Sequence, residues 1–387
     1  MSVLQKYFAR EVIRSVVFVL IAFLALFAFF DLINELPNVG RGGYRLHHAF
    51  AFVLLGMPGY TYELMPIAAL IGTIYALAQF AARSEFTIMR VSSMSTVMVG
   101  TMLAKIGVLF AILTFIFGEF VSPYSTEFAS RLKLQAQGAA LSQEFRSGLW
   151  AKDVIRADGI KGEVIGSRFV NARQMQPDGT MTGVRLYEFD RDFRLTALIN
   201  AAGATYRGAN RWDLAKVTET RFTRSSAAVG AAAAAAALAG ASEAMTTVTL
   251  ARRELISEIT PEILSVLFSD PDRMSAVDLQ AYTRHLAENN QHTERYEIAL
   301  WKKLIYPFAV FVMMALALPF AYLQTRSGGV SLKIFIGIMI GVSFQLLNSL
   351  FSHLGLLNTW PPFATAILPS AFFLMLAIAA LRWVERH

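Results

Sequence analysis

The chain has 387 residues, of which 55% are apolar and only 16% charged, with a formal net charge of +7 and no cysteine. A water-soluble domain of this size carries about a quarter charged residues, so the deficit points to lipid as part of the solvent. The missing cysteine excludes disulfides and thiolate metal sites. No basic surface interleaved with stacking aromatics is visible, so no nucleic acid is expected as a partner.

In chain order, six apolar runs approach the ~20 residues that a helix needs to cross a bilayer. They cover residues 12–30, 50–82, 97–121, 304–323, 332–351 and 363–381. Lys6, Arg10 and Arg14 precede the first run, as they would a signal peptide. Its apolar core is long, however, and "FFDLINELPN" after it offers no small-x-small cleavage site, so we read a retained span. The fold class expected is a polytopic α-helical membrane protein, three spans plus three, around a polar all-β domain.

Lysine and arginine counts in the short segments give the orientation. Lys6, Arg10, Arg14, Arg83, Arg90, Lys105, Arg326, Lys333, Arg382 and Arg386 would share one side, against Arg41 and Arg45 in the short loops of the other. Both termini and residues 81–96 are therefore expected in the cytoplasm.

The first outer loop, "DLINELPNVGRGGYRLHH", mixes Asp31 and Glu35 with Arg41 and Arg45. Arginine there suits bidentate contact with head-group phosphates, and equally suits ordinary interface anchoring. The second run holds Pro58, Glu63 and Pro66. A carboxylate inside a span must face protein, water or a polar ligand, so Glu63 reads as a proton relay or as an outer-interface residue.

Between the second and third runs lie residues 83–95, with Arg83, Glu85 and Arg90 set among Phe86, Ile88, Met89 and Val91. A short amphipathic segment there can lie on the membrane surface or seat in a groove of a partner.

The polar stretch 122–303 separates the two sets of spans. From "GEVIGSRFVNARQM" to "WDLAKVTETRF" it alternates apolar and polar residues in short runs, broken by turn signals such as Pro177-Asp178-Gly179. Successive antiparallel strands of that kind build a sandwich, barrel or jelly roll. The alanine-rich segment 227–241 interrupts the pattern as an insert. An amphipathic helix is expected from about residue 275, with Ser275 as N-cap and Asp278 in its first turn.

In the fifth run Gln345, Asn348, Ser349 and Ser352 recur at three- and four-residue spacing, with His353 beside them. Such a stripe serves interhelical hydrogen bonding or lines a cavity for an amphipathic ligand. Enzyme signatures are missing: there is no G-x-x-x-x-G-K-[ST], H-E-x-x-H or G-x-S-x-G, and the six histidines are scattered. We expect no cofactor, metal or catalytic residue in the chain itself.

Several stretches together make the sequence recognisable: "ARSEFTIMR" (82–90), "GEFVSP" (118–123), "SGLWAKD" (147–153), "LWKKLIYPFAVFVMMALAL" (300–318), "LPNVGRGGY" (36–44) and "ELMPIAALIG" (63–72). They closely resemble the LptF/LptG family of lipopolysaccharide-export permeases, its LptG members more than its LptF members. The resemblance implies six spans, a periplasmic jellyroll-like β domain and an inner-membrane location. The divisions would be 1–121, 122–303 and 304–387. It also implies an LptF partner, two copies of the ATPase LptB that bind ATP and magnesium, LptC, LptA, and lipopolysaccharide as cargo.

By the same resemblance, residues 83–95 are the coupling helix, with Arg83, Glu85, Phe86, Met89 and Arg90 meeting the ATPase. Asp31, Glu35, Arg41, Arg45, Gln345, Asn348 and Ser349 are the candidate lipid-facing residues. One departure stands out. Relatives carry lysines near the outer end of the first span, where this chain has Asp31 and Glu35, so Arg41 or Arg45 would have to substitute. Two rival readings stay open: a proton-coupled secondary transporter working through Glu63, and a non-transport envelope scaffold.

Overall fold

The computed structural model describes residues 3–41, 43–85, 88, 96–137, 148–159, 161–176, 179–222, 245–266, 270–289, 291–321, 330–358 and 360–386. Six helices among them are long and apolar enough to cross a membrane. The chain divides into two compact units. One is helical and holds Met1–Lys133, Asp270–Ala287 and Gln291–His387; the other holds Leu134–Ser269 and Glu288–Asn290.

In the helical unit, α1 (Val3–Glu35) and α2 (Leu46–Ala82) are followed by α3 (Thr96–Ile116), a π turn (Phe117–Val121) and α4 (Ser122–Gln137). Residues 122–137, which the sequence suggested as the start of the polar stretch, thus prolong the third span as helix. After the β unit come a 3₁₀ turn (Pro271–Arg273), α6 (Ala276–Glu288), α7 (Glu294–Ala317), α8 (Val330–Asn358) and α9 (Pro362–Arg386). Four of the apolar runs expected to span lie within one helix each; run 97–121 passes from α3 into the π turn, and run 304–323 follows α7 to Ala317 and a 3₁₀ turn (Leu318–Ala321), its last two residues lying outside the described ones. The helices overrun the runs because a helix continues past the hydrocarbon wherever its polar ends find water.

At the centre are α2 and α7, with α1, α3, α8 and α9 packed around them. On α1 the buried residues Phe8, Val12, Val16 and Leu20 are spaced four apart, a single ridge aimed at α2. Gly72 makes that approach possible, since a Cβ there would stand 2.5 Å from Val16 Cα. On the outside, Phe18, Leu54 and Met375 are more than 60% exposed. A surface this apolar suits lipid rather than water.

The second unit is one antiparallel sheet of β1 (Leu149–Asp158), β2 (Lys161–Met175), β3 (Met181–Asp190), β4 (Leu195–Gly208), β5 (Arg211–Phe222) and β6 (Met245–Ile256), followed by the short helix α5 (Pro261–Val266). The all-β domain is therefore present. Its described strands pair in sequence order, a meander, with none of the crossovers that pair distant strands in a jelly roll. Tight connections at 158–161, 190–195 and 208–211 leave each of those strands only its neighbour to pair with. The alanine-rich insert 227–241, Pro177 and Asp178 lie outside the described residues.

The sheet nevertheless rolls. Ser257 and Glu258, just past the last strand, reach the first: Ser257 Oγ donates to Asp153 Oδ2 at 2.7 Å, and Arg156 Nε to Glu258 Oε1 at 2.7 Å. A bend line explains the curvature. Arg173, Gly183, Ala202 and Lys216 share one row across β2 to β5, bracketed by the pairs Ala172↔Val184, Ala201↔Val217 and their partners two residues on. On all four strands the inward face changes parity there, as in Ala172 to Met175, Met181 to Val184, Ala201 to Ala204 and Leu214 to Val217. Gly183 and Lys216 take left-handed backbone, φ +62° and +49°. A strand that breaks its two-residue period kinks, and four kinks in one row fold the sheet over. Inside, Leu186, Ile199, Trp212, Leu214 and Leu255 form the core, and Trp212 Nε1 donates to Ile259 O at 2.8 Å.

Candidate functional site

The α2 helix ends at Arg83, and Ser84 takes φ +62°, a left-handed turn that stops the helix before Glu85. Glu85 keeps 29% of its side chain exposed, with Arg83 Nη1 3.9 Å from Oε1. Tyr7 Oη of α1 donates to Glu85 Oε2 at 3.0 Å, and Tyr7 and Phe8 both lie against Phe80, with ring centroids 5.8 and 5.5 Å apart. The carboxylate is thus held by a residue 78 positions away. Ile88 is 64% exposed beside it. Phe86, Met89 and Arg90 lie outside the described residues.

The expected lipid-facing residues divide into two kinds. Glu35 is buried, with Lys133 Nζ 2.9 Å from Oε1 and Asn38 Nδ2 donating at 3.2 Å. Lys133 also stands 4.7 Å over the Phe52 ring. Next to them, burial and the Glu35 carboxylate push the Tyr44 phenol above its usual range. Asp31 accepts from Tyr60 Oη at 3.0 Å. Both acids are committed within the protein, whereas Arg41 and Arg45 are exposed. Arg45 is the N-cap of α2, where its N–H donates to His48 Nδ1 at 3.0 Å.

The stripe on α8 is divided too. Gln345, Ser349 and His353, four apart, form an exposed ridge, while Asn348 faces inward and is 6% exposed. Ser352 Oγ donates back to Asn348 O at 2.9 Å.

Sequence reasoning missed a junction in the helical unit. Ser275 caps α6 as expected, accepting from Asp278 N at 3.0 Å. The exposed N–H groups beyond it are met from the π turn: Glu119 accepts from Ala276 N at 2.8 Å and from Val277 N at 3.4 Å. From α7, Lys303 Nζ donates to Met274 O, and Lys302 pairs with Asp272 at 3.2 Å. Arg273 stands 5.8 Å over the Tyr60 ring, and Tyr306 Oη donates to Glu63 O at 2.5 Å. Gly118 admits the Tyr62 ring, which a Cβ would approach within 2.5 Å. Five elements meet there: Glu119 and Lys303 face backbone groups, Lys302 and Asp272 face each other, and Arg273 faces a ring.

Comparison with known proteins decides the family. Residues 6–383 match the family described as lipopolysaccharide export system permease LptF/LptG. The chain belongs to that family. Among its relatives is the lipopolysaccharide export system permease protein LptG of Escherichia coli strain K12, 28% identical over 378 residues and 97% of each chain. The same-named protein of Haemophilus influenzae is 27% identical over the same shares.

Family membership lends no support to the proton-carrier and scaffold alternatives. The stretches that carried the resemblance now have places in this permease. "GEFVSP" supplies Gly118 and Glu119, "LWKKLIYPF" supplies Lys302, Lys303 and Tyr306, and "SGLWAKD" supplies Asp153. Nothing local in the sequence marks Glu119 and Lys303, 184 positions apart, as holding one stretch of backbone.

Proposed function

We propose that this chain is an LptG-type subunit of the inner-membrane complex that exports lipopolysaccharide. It pairs with an LptF subunit and is driven by ATP hydrolysed on two copies of LptB. The observation that carries the reading is the family match across residues 6–383, joined to six apolar helices, three before and three after a β unit in chain order. The cargo explains the energy source: each buried CH₂ holds a lipid in the bilayer by ~0.8 kcal/mol, so a glycolipid with several chains leaves slowly unless work is done on it.

In this reading both termini and residues 83–95 face the cytoplasm, as the lysine and arginine distribution suggests. The β unit faces the periplasm, toward LptC and LptA. Arg83 and Glu85, with Phe86, Met89 and Arg90, meet the ATPase. Arg41 and Arg45 are the groups for lipid phosphates, and Gln345 and Ser349 face the cavity, because these side chains are exposed while Glu35 and Asn348 are buried.

The test is co-purification with LptF and LptB, followed by ATPase and lipid-release assays in nanodiscs. The expected result is a complex whose hydrolysis responds to lipopolysaccharide, and a Glu85→Lys variant that inserts but loses LptB or its coupling. A chain that purifies without any ATPase, or Glu85→Lys exporting at the wild-type rate with LptB retained, overturns it.

A further inference from the structure

Glu119 and Lys303 grip one short stretch of backbone, Met274 to Val277, from two different membrane helices. Glu119 stands on the π turn at the end of α3, and Lys303 on α7, where it is 7% exposed. The carboxylate takes two N–H groups of α6 at its positive end, and the ammonium takes the carbonyl two residues before that helix starts. Bulk stability does not explain such a choice. A buried charge costs several kcal/mol to dehydrate, and an apolar pair of the same volume often holds as well. What two charge-assisted contacts on backbone do supply is a fixed position for the segment they hold.

The π turn points the same way. A π turn is a rare departure from α geometry, frequent at functional sites. Here the turn carries Glu119 against α6, with Gly118 cleared for Tyr62.

The position of α3 gives the grip its meaning. The helix starts at Thr96, directly after residues 83–95, and its 21 residues span about 30 Å before the π turn. It packs closely on α7, where a Cβ on Gly107 would stand 2.9 Å from the Phe311 ring. The segment that Glu119 holds is the one by which the chain returns from β6 to the membrane helices. A push on residues 83–95 therefore has a stiff path to the start of α6.

We propose that Glu119 and Lys303 form a permanent pin through which α3 and α7 pass the ATPase stroke to the start of α6 and the segment that precedes it. This rests on the transport function proposed above. Both are positioning residues. The pin stays closed through the cycle, so losing it separates hydrolysis from lipid release without stopping hydrolysis.

The experiment uses the full complex in nanodiscs containing lipopolysaccharide, with ATP hydrolysed and lipid released measured together. Glu119→Ala is expected to keep hydrolysing ATP while lipid released per ATP falls about tenfold, a typical coupling energy between two sites. Glu119→Gln, which retains one accepting oxygen, is expected to keep most of the wild-type ratio. The chain has no cysteine, so Glu119→Cys with Ala276→Cys adds a single bridgeable pair. Reduced, this variant should uncouple like Glu119→Ala. Bridged by a short bifunctional thiol reagent, the same molecules should recover the ratio.

Wild-type release per ATP from Glu119→Ala or from the reduced pair overturns the pin. So does a bridged pair that stays uncoupled. Should the unaltered complex release no lipid on addition of ATP, the transport reading itself is at fault. Intact release from the unaltered complex and from every variant counts against the pin alone.

Discussion

In the helical unit, Glu35 pairs with Lys133, but the charges around the start of α6 are directed at backbone: half-buried Glu119 at the N–H groups of α6, buried Lys303 at a carbonyl. In the rolled sheet, charge lies within the roll and is directed at other charge. Arg168 Nη1 is 3.2 Å from Asp153 Oδ2, its Nη2 is 2.9 Å from Glu188 Oε1, and Arg253 Nη1 lies 2.8 Å from Glu219 Oε2. Arg168 Nη1 also donates to Ile256 O, tying β2 to the end of β6. The difference follows from what each unit must fix. Helices with apolar surfaces hold one another largely by shape, and the charges at the α6 junction fix a stretch of backbone between them. A meander has two free edges, and a rolled one must bring them together; side-chain ions supply the bonds that no ladder provides.

That contrast makes Arg168→Met the most damaging change in the sheet. It strands the Asp153 carboxylate, whose side chain is 0% exposed. An uncompensated buried charge costs about 3–5 kcal/mol, and the double variant with Asp153→Asn should recover most of that loss. Acidity supplies a second check. Burial raises the Asp153 carboxyl above its usual range, outweighing the opposite pull of Arg168 and of the Ser257 hydroxyl. A carboxyl with a raised folded pKa binds its proton more tightly when folded, so its contribution is favourable in acid and is lost as pH rises through that pKa. The deficit of Arg168→Met should accordingly be full at neutral pH and shrink as pH falls. Thermal unfolding of the two single variants and the double one, across that range, measures both effects.

The same contrast decides what the sequence could disclose. Spans were legible because a 20-residue apolar run is a local property, and Ser275 was legible as a cap because its partner Asp278 is three residues away. The strands showed through their two-residue alternation. The bend line did not, because a parity change at Arg173, Gly183, Ala202 and Lys216 looks like four unrelated lapses until the register aligns them. Glu35 and Lys133 lie 98 positions apart, and Tyr7 and Glu85 lie 78 apart. No periodicity links such pairs. Asp31 and Glu35 therefore read only as candidate lipid-facing residues, and their contacts with Tyr60 and Lys133 were not visible.

If shape rather than charge holds the helical unit, a neutral change at a contact should damage it. Gly72→Ala adds one methyl group where Val16 Cα would be 2.5 Å and Val16 N 2.6 Å away. Backbone cannot swing aside as a side chain can, so α1 must lift from α2. The expected cost is about 1–3 kcal/mol, the range for overpacking, with the β unit unchanged. Limited proteolysis of each unit in nanodiscs separates the two. Equal loosening of both would mean that the division between shape and charge is wrong.

The smallest effect tests the bend line, and it should have opposite signs at β3 and β5, the two strands that flank β4. Gly183 and Lys216 lie in the same row, both in left-handed backbone, but only one of them is glycine. A residue with a Cβ gives up about 1–2 kcal/mol in that conformation, and glycine's extra freedom when unfolded returns roughly half of it. Lys216→Gly should thus stabilise the sheet by up to about 1 kcal/mol, all the more cleanly because Lys216 is exposed. Gly183→Ala should destabilise it by a similar amount or more, since its Cβ would also stand 3.0 Å from Arg173 Cβ. Denaturant midpoints of the two variants give the signs directly. Two changes of the same sign would mean that the row is an incidental irregularity, and that the roll is held by the Asp153, Arg168 and Ser257 bonds without help from the backbone.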